Sequence, residues 1–380
     1  MLDHLNDDPA LLLLRHQGKT DFDLKAAVQQ ISARQKAKKK LPEWISNQEI
    51  IFPPTLNLEQ SSSQATAEFK ARGQSGGKFI DLTGGFGVDC YYLGRKFKSA
   101  VYCEVNEELA EITSHNLNKL APEHFEVFTG NGLEYLEQSD ETFDLIYLDP
   151  ARRGHANQKL YKLSDCEPDL VSHWDLIKSK ASKVLIKASP MLDISKAWVE
   201  IPDIQKVTIV SVKNEVKEVL LEADLTGKKS MEVLAVDLGE SESSFSFRPK
   251  DEENSKVEFG EASNLLFEPL AAILKAGAFK VFGSRYSLKK LEPNSHFFTS
   301  GAIPENIPAR VFEVLGEIKP SKSVLKKLFP EGKVNIIARN YSIGPEAFKK
   351  KFRLKDGGID YLIATKTLSG FKVFHCRRIK

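Results

Sequence analysis

The chain has 380 residues, 41% hydrophobic and 28% charged, with a formal net charge of +2. That balance excludes a disordered chain, and the length exceeds what one hydrophobic core usually serves. No apolar run approaches the ~18–20 residues that span a bilayer, and Ala10–Leu14 runs into Arg15 and His16 without a signal peptide's basic start or cleavage site, so a cytoplasmic protein is expected.

Cys90, Cys103, Cys166 and Cys376 are scattered, with no C-x-x-C pair and no His at ligand spacing. Reduced thiols are expected, and no metal site. Basic residues cluster in Arg34–Lys40 (RQKAKKK), in Lys349–Lys355 (KKKFRLK) and at Arg377, Arg378 and Lys380. Such runs attract phosphate backbones, and they are also the pattern of a solvated helix face.

In chain order, residues 1–70 read as helical. Phe22, Leu24, Ala27, Val28 and Ile31 recur at helical spacing behind Asp21 or Thr20 as N-cap, and Pro42, Pro53 and Pro54 interrupt the pattern. LEQSSSQATAEFKA (Leu58–Ala71) restarts it, with Ser61–Ser63 as caps. After Gly73–Gly77 the rhythm changes. Strands are expected at Phe79–Leu82, Ala100–Glu104, Phe125–Thr129, Leu145–Leu148 and Val184–Lys187, and helices at Asp89–Lys96, Glu107–Leu120, Gly132–Gln138 and Cys166–Ser179. Alternation of this kind builds a parallel sheet. Val207–Val212 and Val219–Asp224 add a terminal hairpin. Residues 240–256 are polar and mark a boundary, with Phe245 and Phe247 able to form an edge strand. Beyond it a helix is expected over Leu265–Ser284, then strands at Arg310–Val314, Val334–Arg339, Tyr361–Thr367 and Lys372–Arg377 and a helix at Gly344–Phe352.

In an open α/β sheet, ligands bind beyond the C-terminal strand ends. There the sequence places DLTGGFGVD (Asp81–Asp89), with Gly84, Gly85 and Gly87 in a tight turn. Cys90 stands where the G-x-G-x-x-G dinucleotide fingerprint needs its third glycine, so the loop suits a ligand with a charged amino-acid moiety and no pyrophosphate. Asp81 would face its ammonium. Glu104, at the next strand end, can accept both hydroxyls of a ribose. Asn131, between Gly130 and Gly132, can pair with an adenine edge. Asp149, followed by Pro150, Ala151, Arg152 and Arg153, ends the fourth strand and faces the point where a group is transferred.

In this order the four elements resemble class I S-adenosylmethionine-dependent methyltransferases, with Thr83 where many members carry a glycine, a variant common among RNA methyltransferases. DPARR resembles the D-P-P-x tetrapeptide of RNA base methyltransferases, with Ala151 for the second proline and no following aromatic. Where 5-methyluridine enzymes carry a cysteine nucleophile, this chain reads Lys187–Ala188–Ser189–Pro190. The whole chain resembles a bacterial methyltransferase group with a ferredoxin-like insert and a C-terminal THUMP-like domain, through LEQSSSQATAEFKA, DLTGGFGVD, YLDPARR, KASPMLD, EPLAAILKAGAF and KVNIIARN…LKDGGIDYLIATK.

The resemblance implies a Rossmann-like class I methyltransferase fold with a mostly parallel seven-stranded sheet. The implied division is an N-terminal helical domain over 1–72, a cofactor-binding domain over 73–239, a ferredoxin-like module over 240–318 and a THUMP-like module over 319–380. It implies S-adenosylmethionine as cofactor, held by Asp81, Thr83, Gly84, Gly85, Gly87, Glu104, Asn131 and Asp149. Asp149, Pro150 and Arg152 are the candidate catalytic residues, and Arg152, Arg153 and Lys187 the candidate contacts to an RNA substrate, tRNA or rRNA. A methyltransferase acting on a protein or small molecule, and a non-catalytic RNA-binding protein with this fold, are the alternatives.

Overall fold

The computed structural model describes residues 2–152, 162–227 and 230–380. The chain forms two compact units, one of residues 1–207 and 218–230, the other of residues 208–217 and 231–380.

The first unit opens with helices α1 (Pro9–His16), α2 (Leu24–Ala37), α3 (Pro42–Ser46), α4 (Thr55–Gln60) and α5 (Gln64–Ala71). Their starts have chemical reasons. Asp8 accepts the amides of Ala10 and Leu11, Asp23 those of Lys25 and Ala26, and Ser63 that of Thr66. The cap of α2 is thus Asp23 rather than Asp21 or Thr20, because it directly precedes the first helical turn, and Phe22 is left outside the helix and exposed. The extended segment between α3 and α4 is pinned from both sides. The Gln30 amide group exchanges hydrogen bonds with the Phe52 backbone (2.7 and 2.9 Å), and Asn116 does the same with Ile51 (2.7 and 2.8 Å). Trp44 is fully buried edge-on to Phe86 and Tyr91, with ring centroids 5.0 and 5.8 Å away.

The alternating elements are β1 (Gly76–Asp81), α6 (Val88–Gly94), β2 (Phe97–Glu104), α7 (Glu107–Leu120), β3 (Phe125–Thr129), α8 (Gly132–Gln138), β4 (Phe143–Leu148), α9 (Trp174–Ser179), β5 (Ala181–Ala188), α10 (Ile194–Glu200), β6 (Lys206–Val212) and β7 (Glu215–Asp224). Strands β1 to β5 pair in parallel, and β7 runs antiparallel to β5. The hairpin turn before β7 is Lys213–Asn214, both at positive φ (51° and 62°), a geometry that matches the twist of paired strands. The strand order is β3-β2-β1-β4-β5-β7-β6, the expected seven, and two more strands come next in the chain, β8 (Glu232–Leu238) and β9 (Glu242–Phe247). A helix over the whole of Cys166–Ser179 does not form. Pro168 lacks an amide donor, and Asp169 takes the amides of Val171 and Ser172 into a turn, so only Trp174–Ser179 is helical.

In the second unit β8 and β9 are antiparallel, with Phe245 and Phe247 buried on the outermost strand. Helix α11 (Pro249–Asn254) follows. The expected helix over Leu265–Ser284 is replaced by strand β10 (Leu265–Pro269) and helices α12 (Ala271–Ala276) and α13 (Lys280–Arg285). A short apolar run reads equally well as buried strand or buried helix. Here strands flank it on both sides, β11 (Phe298–Ser300) and β12 (Ala309–Ile318), and Gly277 in the left-handed region caps α12. Then come α14 (Lys322–Leu328), β13 (Asn335–Arg339), α15 (Pro345–Phe352), β14 (Asp360–Thr367) and β15 (Gly370–Arg378). The sheet order is Lys289–Lys290, β11, β10, β12, β15, β14, β13. One core gathers Leu266, Phe297, Phe312, Ile363 and Phe374, and another gathers Leu325, Phe348, Leu362 and Val373. Among the described residues no helix is long and apolar enough to cross a membrane.

Trp44→Ala empties a fully buried aromatic site and is expected to cost about 3–5 kcal/mol, read as a lowered denaturant midpoint.

Candidate functional site

The candidate residues gather at the C-terminal ends of the parallel strands of the first unit. Asp81, the last residue of β1, is buried, and its Oδ1 accepts the Thr83 amide at 3.0 Å and the Thr83 hydroxyl at 3.4 Å. Burial pushes this carboxyl well above the usual carboxylate range. The Thr83 amide opposes the rise, and the charges of Asp89 and Asp149 add to it. The Thr83 hydroxyl oxygen in turn accepts the backbone amide of Asp149 at 2.6 Å. Thr83 therefore ties the loop after β1 to the end of β4.

Glu104 closes the same loop from β2. Its Oε2 accepts the Gly85 amide at 2.8 Å and its Oε1 the Asn106 amide at 2.9 Å. A carboxylate offers about four lone-pair sites, so capacity remains for a diol. Within the loop, the Gly84 amide donates to the Cys103 carbonyl at 2.7 Å. Gly87 needs to be glycine: its φ is +76°, and an added Cβ would lie 2.5 Å from the Thr113 side chain. Gly85 (φ +55°) differs, since a Cβ there would meet nothing closer than 3.8 Å, on the open side of the turn. Asn131 caps α8 by accepting the Leu133 amide at 2.9 Å, which leaves its NH₂ group as its donor. Val105, next to Glu104, is 69% exposed.

Behind Asp149 lies a buried ionic network. Lys187, from β5, places its Nζ 2.5 Å from Asp149 Oδ2, 3.2 Å from Asp89 Oδ2 and 3.1 Å from Ser62 Oγ. Ser62 and Tyr147 each donate to Asp89 Oδ2 at 2.7 Å. Lys70, from α5, is fully buried and meets both oxygens of Glu218 at 2.7 and 2.8 Å, as well as Asp89 Oδ1 at 3.1 Å. Burial alone would raise Asp89, but Lys70 and Lys187, helped by Ser62 and Tyr147, outweigh it and hold this carboxyl below its usual range. For Lys187, burial disfavours the charge while Asp149, Asp89 and Glu218 outweigh it, so the ammonium is held above the ordinary lysine value. Glu218 is raised, because burial exceeds the pull of Lys70 and Lys187.

The structure thus brings Asp81, Thr83, Asp149 and Lys187 into one connected set, with Glu104 on the other side of the glycine turn. Pro150 follows Asp149. Arg153 and the side chain of Arg152 lie outside the described residues. Sequence reasoning missed Ser62, Lys70, Asp89, Tyr147 and Glu218 as members of the site. All but Glu218 sit inside the quoted motif stretches, which was the available signal. The N-terminal basic run is largely committed within the fold. Arg34 is buried and donates to the Gln48 and Ile50 carbonyls, Lys36 pairs with Glu59, and Lys40 donates to the Leu58 and Glu59 carbonyls. Lys38 and Lys39 remain exposed. In the second unit, Lys350, Lys351, Arg353 and Lys355 are exposed, whereas Lys349 pairs with Glu346 and Asp356.

Comparison with known proteins matches residues 265–308 to a ferredoxin-like domain and residues 309–378 to a THUMP domain-like family. The chain is 32% identical to the crystal structure of a "putative methyltransferase" from Porphyromonas gingivalis W83, with a TM-score of 0.87, covering 100% of this chain and 96% of that one. It is also 23% identical over 329 residues to an "Uncharacterized S-adenosylmethionine-dependent methyltransferase" of Mycobacterium tuberculosis H37Rv, spanning 84% of this chain and 87% of the relative.

Lys70→Met strands Glu218 without its buried cation, leaves Asp89 with Lys187 alone, and is expected to cost about 3–5 kcal/mol. Adding Glu218→Leu should recover most of that loss in chemical denaturation, whereas additive losses would show that the pair is not the coupled unit.

Proposed function

We propose that this chain, which belongs to the class I S-adenosylmethionine-dependent methyltransferases with a C-terminal THUMP-like domain, methylates a structured RNA, tRNA or rRNA. The observation that supports the cofactor reading is the row of carboxylates at successive strand ends. Asp81, Glu104 and Asp149 surround a turn at whose Gly85 an added Cβ would meet nothing closer than 3.8 Å, and that set of acceptors suits a ligand that carries positive charge and a ribose.

When bound, S-adenosylmethionine supplies an electrophilic methyl group. In our assignment Asp81 meets the ammonium of its amino-acid end, with Thr83, Gly84, Gly85 and Gly87 forming the turn around it. Glu104 accepts the ribose hydroxyls. Val105 offers an apolar face to adenine, and the Asn131 NH₂ donates to its edge. Asp149, held at its amide by Thr83 and at its carboxylate by Lys187, accepts the hydrogen of the attacking atom. Pro150 stiffens the turn, and Arg152 and Arg153 hold the acceptor strand. Alignment of acceptor and donor is the main contribution required of the protein. The RNA assignment is supported by the THUMP domain-like match over 309–378 and by the exposed cations of α15 and its C-terminal flank.

Incubation with labelled S-adenosylmethionine and total bacterial RNA should label an RNA fraction, with binding that weakens steeply between about 50 and 200 mM salt. Transfer to protein or metabolite alone would overturn the RNA assignment. Asp149→Ala is expected to lower turnover by about 10²–10⁴-fold. An ammonium next to Asp81 favours its ionised form, so ligand binding should pull this carboxyl down from where burial raises it and release protons over the range in which it titrates. Affinity for S-adenosylhomocysteine should therefore rise with pH while Asp81 is protonated and level off once it is ionised. Calorimetry in buffers of different ionisation enthalpy should register proton release in the wild type and none in Asp81→Asn.

A further inference from the structure

We propose that Lys187 is a positioning residue that holds one oxygen of Asp149, so that the other meets the methyl acceptor and selects an acceptor atom that carries a hydrogen. This deepens the reading above and rests on it for the role of Asp149.

A lysine at a strand end invites assignment as a phosphate contact, but its surroundings argue otherwise. An ammonium has three donors, and Lys187 Nζ has three protein acceptors around it: Asp149 Oδ2 at 2.5 Å, Ser62 Oγ at 3.1 Å and Asp89 Oδ2 at 3.2 Å. Only 12% of its side chain reaches solvent. Ser62 and Asp89 are themselves fixed, by each other, by Tyr147 and by Lys70. Swinging Lys187 out to a phosphate would leave Asp89 with half its compensating charge in a buried site, a costly move.

Asp149 is placed differently. Its side chain is 38% exposed and its amide is pinned on Thr83. With Oδ2 engaged by Lys187, Oδ1 is the oxygen left for the acceptor. The charged and titratable groups of the network that Lys187 joins to this carboxylate come from six elements: Lys70 on α5, Asp81 on β1, Asp89 on α6, Tyr147 on β4, Lys187 itself on β5 and Glu218 on β7. Lys187 stands between Asp149 and Asp89. Without it Asp149 Oδ2 would lose the cation that fixes it, and either oxygen could turn to the acceptor. An ionised carboxylate only accepts. It engages an exocyclic amine, a ring imino N–H or a hydroxyl, and gives nothing to a ring nitrogen that arrives with a bare lone pair.

The test uses the full chain as wild type, Lys187→Met, Lys187→Arg and Asp149→Asn. Amine acylation mapped by mass spectrometry, without RNA or cofactor, should modify Lys187 at least about tenfold more slowly than exposed Lys38, and Asp149→Asn should speed it. A Lys187 that reacts like Lys38 and becomes protected on adding RNA would overturn the proposal in favour of a substrate contact. With an RNA fraction that accepts methyl groups, Lys187→Met should lower kcat by about 10²-fold. It should leave the KM for RNA and its salt dependence unchanged, and Lys187→Arg should recover part of the rate. The methylated nucleoside should carry the group on an atom that previously bore hydrogen. A changed KM with intact kcat, or methylation of a ring nitrogen that carried none, would also overturn it. If Lys187→Met does not fold, Lys187→Arg and Asp149→Asn carry the comparison. Failure of wild type to methylate any RNA would remove the RNA assignment, while the acylation result would still decide the role of Lys187.

Discussion

Two lysine ammonium groups, Lys70 and Lys187, sit inside the first unit, where unpaired charge is prohibitive, and the carboxylates that match them come from three different elements. Asp89 lies on α6, Glu218 on β7 and Asp149 at the end of β4, while Ser62 and Tyr147 complete the hydrogen bonding. A buried pair of this kind adds little net stability, yet removing one member is costly. Its effect is to couple elements far apart in sequence. Helix α5, the glycine turn, the end of β4 and the antiparallel strand β7 must all be in register before either charge can be buried.

That coupling gives the N-terminal helices a meaning their sequence does not announce. They read as an amphipathic preface to a sheet. In the structure α5 supplies Lys70, the segment before it supplies Ser62, and Trp44, Phe52 and Phe86 share one aromatic cluster. The N-terminal residues thus form one wall of the site they precede.

Much of the first unit was legible because each signal was local. The strand and helix rhythm from Lys78 onward follows from apolar spacing, and the glycine turn, Glu104, Asn131 and Asp149 stand out as strand-end residues. What was not legible depends on distance. Lys70 and Glu218 are 148 residues apart, and nothing in either neighbourhood marks them as a pair. The same limit explains the second unit. Leu265–Pro269 has an apolar pattern that suits a helix, and only its partners β11 and β12 decide that it is a strand. Lys187 shows the same limit. A cation at a strand end was readable, but whether its donors were already engaged was not.

Glu104 accepts one amide from the glycine turn and another from the residue that starts α7. The carboxylate assigned to grip a ligand is therefore also a clasp on the turn. A loop held by its own hydrogen bonds spares a ligand part of the cost of ordering it. It also means that the turn and the carboxylate proposed to take a diol form one unit. A change at position 104 would alter the frame of the turn together with whatever that carboxylate holds, whereas the Val105 side chain beside it is exposed.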